Sequence, residues 1–215
     1  MAQKQALGGL HACGLASVAA SLLAILALSG CGSSAGANRP TGAVRGAGLQ
    51  GLILKPAKPA APLALRNYTG NRVSLSTMHG KAVFVTFVYT HCPDVCPLIV
   101  ADLASVRRQL GGQARNVRIV AVTVDPRRDT PTAIKQFLAA RGALGRIDYL
   151  LGTRAQLERT WKTWDVGVNQ NGKQLTVGHT AVVYGVTASG RLAVVYPSNF
   201  TPQQIVHDVP LLARM

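Results

Sequence analysis

Residues 82–97 read Ala-Val-Phe-Val-Thr-Phe-Val-Tyr-Thr-His-Cys-Pro-Asp-Val-Cys-Pro. The first eight are almost continuously apolar and β-branched or aromatic, the pattern of a central strand covered on both faces. Pro97 suits the first position of a helix, and Ile99, Leu103, Val106 and Leu110 then recur at helical spacing. The stretch therefore predicts a buried strand, a short loop carrying Cys92, a helix N-cap near Cys96, and a long helix.

Working outward, Gly111-Gly112 stops that helix. Residues 117–124 (VRIVAVTV) form the next buried strand. Thr130-Pro131 opens a second helix, and residues 149–151 supply a short strand. Thr153 with Gln156 is a capping-box pattern that starts a third helix, which runs to about Trp164. Residues 181–186 and 192–196 flank Thr187-Ala188-Ser189-Gly190 and read as a β-hairpin. Thr201-Pro202 opens a last helix that Pro210 ends or kinks. Upstream, 63–65 and 73–75 flank Asn67-Tyr68-Thr69-Gly70-Asn71, a second hairpin. Strand–helix–strand, a helical insertion, then strand–strand–helix is the thioredoxin plan. The fold class expected is α/β and thioredoxin-like, a mixed sheet flanked by helices with an N-terminal β-hairpin extension.

The N-terminus points outside the cytoplasm. Lys4 precedes an apolar and small-residue run at 15–28 that is short for a bilayer span, and Leu28-Ser29-Gly30-Cys31 ends it. That ending resembles a bacterial lipobox, so residues 1–30 read as a lipoprotein signal and Cys31 as the lipidated N-terminus. The competing reading is an uncleaved anchor, and both tether the domain to the outer face of the membrane. Residues 31–60, rich in Gly, Ala, Ser and Pro, read as a flexible tether about 30 Å from end to end. Residues 61–215 form the domain. Net charge is +15 at pH 7. Export argues against nucleic acid, and charge alone specifies no partner. The basic residues, Arg107, Arg108, Arg115, Arg118, Arg127 and Arg128 among them, read as a solvated surface, with anionic headgroups or an acidic partner as the functional alternative.

With Cys13 removed and Cys31 lipidated, Cys92 and Cys96 are the remaining thiols. Four positions apart at a strand end, they form a soft donor pair suited to Cu(I) or Zn, or a redox pair that closes into a disulfide. A disulfide cannot bind metal this way, so reduction gates binding. A third ligand is required. Thr90-His91-Cys92-Pro93-Asp94-Val95-Cys96-Pro97, Thr123-Val124-Asp125-Pro126-Arg127-Arg128-Asp129-Thr130-Pro131 and Gly178-His179-Thr180 together resemble the Sco/SenC family across residues 61–215. The resemblance implies a thioredoxin-like fold and copper held by Cys92, Cys96 and His179. It also implies a role in assembling the CuA centre of cytochrome c oxidase subunit II, as a metallochaperone rather than an enzyme.

Three other readings compete. Cys92 and Cys96 could serve a thiol–disulfide oxidoreductase that reduces the Cys pair of a partner and is itself recharged by a thiol reductant protein. A peroxidase wants one activated Cys with Arg and Thr beside it. A structural staple across so short a loop stabilises little. His91 points away from the pair in an extended backbone; His79 and His207 read as surface residues. Asp125 ends a strand, and Asp129 with Thr130 caps a helix. Trp161 and Trp164 read as core, and Tyr89 as a shield for the thiols.

Overall fold

The computed structural model describes residues 48–168 and 181–215. Eight strands form one sheet: β1 (Leu52–Pro59), β2 (Ala64–Asn67), β3 (Arg72–Ser74), β4 (Ala82–Val88), β5 (Val117–Thr123), β6 (Asp148–Leu151), β7 (Val182–Val186) and β8 (Arg191–Pro197). Four helices accompany them: α1 (Val95–Gln109), α2 (Pro131–Ala139), α3 (Arg154–Thr163) and α4 (Pro202–Leu212). The strand order is β1-β8-β7-β4-β5-β6-β2-β3.

The sheet is mixed, as the thioredoxin-like plan requires. β4 pairs parallel with β5, and β5 parallel with β6. β7 runs antiparallel to both β4 and β8. All seven residues of β4 are buried, which is why its sequence shows no alternation. α1 and α4 pack against each other beside β4. The helix starts follow their capping chemistry: the Thr130 side chain accepts from the Ala133 N–H, and Thr153 and Gln156 close a capping box.

Three expectations are corrected. Residues 52–59, expected as part of a tether over 31–60, are instead strand β1 (Leu52–Pro59), paired antiparallel with β8. Pro56 and Pro59 masked it in the sequence. Proline is nevertheless tolerated on an edge strand, where one side needs no donor, and the register shifts between Ile53 and Lys58. Second, α1 starts at Val95 rather than Pro97. The first four N–H groups of a helix have no helical acceptor, so proline fits at the third position as well as the first. Cys96 thus lies inside the first turn. Third, Pro210 does not end α4; it sits inside the helix, which runs on to Leu212.

The sheet leaves no slack beneath α4. A Cβ placed on Gly185 of β7 would fall 2.5 Å from a methyl of Val194 and 3.4 Å from Leu212. Gly185→Ala is expected to destabilise the fold by about 1–3 kcal/mol through overpacking. Thermal unfolding followed by circular dichroism checks this; an unchanged midpoint would contradict the packing described.

Candidate thiol site

β4 delivers Tyr89, Thr90, His91 and Cys92 to the C-terminal end of the parallel strands, and α1 starts soon after. Cys92 is half-buried and Cys96 buried, and both are free thiols. They are not equivalent. The Cys92 thiol is pulled down to about 5, first by the hydrogen bond that Cys96 donates to it. Burial opposes this, while the backbone N–H groups of Asp94 and Cys96 and the Tyr89 hydroxyl add to it. Those N–H groups belong to the start of α1, where unsatisfied donors favour a thiolate. Cys96 moves the opposite way, pushed up by the bond to Cys92 and by burial. Tyr89 is raised to about 12 by burial and by the negative charge on Cys92. The pair at neutral pH is therefore one half-buried thiolate and one buried thiol that shares its proton with it.

The loop is held from below by Asp129, whose place in the sequence reads as a helix cap. This carboxylate, 2% exposed, receives four hydrogen bonds. The Thr90 N–H and Thr90 hydroxyl donate to its Oδ1 at 2.9 and 2.7 Å. The Thr123 and Tyr149 hydroxyls donate to its Oδ2 at 2.5 and 2.7 Å. Thr130, not Asp129, caps α2. The one signal in the sequence is Tyr149: a phenol in a buried apolar strand needs a polar partner. Asp125 joins this constellation through its backbone only: its N–H donates to the Thr123 hydroxyl and its carbonyl accepts from the Asp129 N–H, both at 3.0 Å. It is buried and pairs with Arg128.

The remaining candidates sort as follows. His91 is exposed and its Nδ1 lies 2.9 Å from the Thr90 hydroxyl. That hydroxyl spends its proton on Asp129, so His91 Nδ1 is the donor to it. His79 is exposed, as expected. His207 is not simply a surface residue: its Nδ1 meets the fully buried Asp208 at 2.7 Å. Trp161 and Trp164 are core, as expected; Trp161 donates to the Thr123 carbonyl. Phe87, Trp164 and Tyr184 form an aromatic cluster, with Trp164 and Tyr184 packed edge to face 5.3 Å apart. Cys31 and His179 lie outside the described residues. Among the described residues, no three His, Cys, Asp or Glu side chains cluster closely enough to enclose a metal ion.

Residues 54–214 match the SCO1/SenC family model. The SCO1 protein homolog of Bacillus subtilis is 27% identical over 153 residues, which cover 69% of this chain and 79% of that protein. Among solved structures, Bradyrhizobium japonicum ScoI with copper bound is 28% identical, with a TM-score of 0.63, over 71% of this chain and 98% of that one. BsSco, described as carrying a disulfide switch and as a member of the Sco family of cytochrome c oxidase assembly proteins, is 26% identical. Its TM-score is 0.62, over 74% of this chain and 95% of its own.

Two outcomes check the site. Alkylation of Cys92 by iodoacetamide should be fast and nearly flat above pH 6, falling through an inflection near pH 5 as the thiolate is protonated. An inflection near pH 9 would contradict the asymmetry. Asp129→Asn turns one acceptor oxygen into a donor facing hydroxyls, and should cost about 2–4 kcal/mol in urea unfolding.

Proposed function

Since this chain belongs to the SCO1/SenC family, we propose that it is a copper carrier serving the assembly of cytochrome c oxidase. Copper is its cargo, held by Cys92, Cys96 and His179. The observation that carries the reading is the donor pair. An ionised Cys92 beside a Cys96 that gives up one proton offers two soft sulfurs at a helix N-terminus, the ligand type that selects Cu(I). Two sulfurs leave the ion under-coordinated, and the third ligand in this reading is His179. Support comes from the strand register: Thr86 of β4 opposes Val183 of β7 in an antiparallel pair. The chain therefore enters β7 at the end of the sheet where β4 delivers Cys92, and His179 is four residues before Val183.

The acceptor in this proposal is the CuA site of oxidase subunit II. The carrier works at the outer face of the cell membrane, anchored by lipid on Cys31 after cleavage of residues 1–30. Support comes from the similarity to BsSco, a member of a family of oxidase assembly proteins, and from the lipobox-like Leu28-Ser29-Gly30-Cys31.

The asymmetry of the thiols favours a second reading, thiol–disulfide exchange. The accessible Cys92 thiolate attacks one sulfur of a partner disulfide and expels the other as a thiolate. Cys96 then loses its proton and attacks Cys92, closing a disulfide here and releasing the partner as a dithiol. A thiol reductant protein must return the two electrons. Oxidised in this way, the pair cannot hold copper, so the two activities alternate on one site.

The anaerobic, reduced chain titrated with Cu(I) against a chromophoric chelator should bind one copper tightly. Cys92→Ser or Cys96→Ser should abolish that binding. His179→Ala should weaken it, chiefly for Cu(II). Stoichiometric binding retained by the double Cys variant would sink the ligand assignment.

A further inference from the structure

The basic residues do not all spread as a solvated surface. Arg107 from α1, Arg118 from β5 and Arg146 from the loop before β6 line one cavity of about 180 Å³, closed on its other side by the Asn67-Tyr68-Thr69 turn. Arg107 and Arg146 are half-buried, and Arg118 is exposed. Two of the guanidiniums are fixed by one nitrogen each. Arg107 Nη1 donates to the Val117 carbonyl at 3.2 Å, and Arg146 Nη1 to the Gly142 carbonyl at 3.0 Å. Their other N–H groups stay available.

This convergence lacks its counter-charge. The chain has eight side-chain carboxylates, and all of them lie among the described residues. The ion pairs these form there go to Arg128, Arg154 and His207, and none to the three arginines of the cavity. Asp148 is the one carboxylate on the wall, and its Oδ1 accepts from Asn67 Nδ2 at 3.2 Å. Three cations against one anion leave the cavity positive. Burial, and then the charge of Arg118, lower the Arg107 guanidinium from its ordinary value, with Arg146 adding to this and Asp148 opposing. Like charges gathered in a partly enclosed space are stabilised by an anion between them.

We propose that this cavity binds a phosphate-type oxyanion, gripped by Arg107, Arg118 and Arg146. Guanidiniums arriving from three separate elements suit a tetrahedral group with oxygens on several sides better than a planar carboxylate with two. The site is remote from the thiols. Arg118 is the second residue of β5 and lies beside Val83 near the start of the parallel β4, whereas Cys92 follows the far end of β4. A seven-residue strand separates the two ends by about 20 Å. The anion site therefore leaves the thiol loop open to a partner. Its ligand is either free phosphate or the phosphodiester of a lipid headgroup, which share this chemistry.

Calorimetric titration of the full chain in detergent, at constant ionic strength, decides between these. The probes are inorganic phosphate and glycerophosphoglycerol, a soluble lipid headgroup. One saturable site is expected for at least one probe. Arg118→Ala/Arg146→Ala should weaken it at least tenfold. Arg154→Ala/Arg159→Ala, which removes the same charge from α3, should stay within twofold. Saturation by phosphate assigns free anion as the source; saturation by glycerophosphoglycerol alone assigns the headgroup. Unchanged Cys92 alkylation in both variants verifies that each is folded. No saturable heat with either probe would overturn the proposal, as would equal weakening by both double variants.

Discussion

Four hydrogen bonds from three neighbouring strands converge on the two oxygens of Asp129, and the thiol loop depends on that convergence. Thr90 follows β4, Thr123 ends β5 and Tyr149 lies in β6, so one buried carboxylate ties together the three parallel strands. The Thr123 and Tyr149 hydroxyls are fully buried and would be costly to leave unpaired. Two residues after Thr90 comes Cys92. The backbone that leads to the accessible sulfur is thus held by hydrogen bonds made beneath it, and the sulfur itself is met by donors from Tyr89 and the start of α1.

Above this anchor, the start of α1 divides the two cysteines chemically. Cys96, within the first turn, is buried and keeps its proton; Cys92, in the loop, receives N–H groups and the Cys96 and Tyr89 donors and loses its own. A nucleophile with a buried partner serves exchange, and a thiolate with a second sulfur behind it serves a soft metal. Both uses need the reduced pair, and a disulfide between Cys92 and Cys96 supports neither until it is reduced. The arginine cavity at the opposite end of the strands adds a separate point of attachment that does not compete for the thiols.

Much of this is legible in local signals. The uniform burial of β4, the proline-led helices, the Thr153–Gln156 box and the 181–196 hairpin all declare themselves within a few residues. What escapes a reading of the sequence depends on distant partners. Asp129 is 39 residues from Thr90 and 20 from Tyr149, so its role requires the folded sheet. β1 is hidden because its pairing with β8, far along the chain, overrides a composition that reads as linker. Arg107, Arg118 and Arg146 likewise sit on three elements and meet only in space. Pro97 misleads by two positions, because any residue of the first helical turn can do without its N–H.

X-ray absorption at the copper edge of the Cu(I)-loaded chain tests the central claim most directly. Two sulfur scatterers and one imidazole nitrogen, with one sulfur lost in either Cys92→Ser or Cys96→Ser and the nitrogen lost in His179→Ala, is the predicted result. A shell without sulfur, or one unchanged by all three substitutions, would contradict a copper site built on this thiol pair.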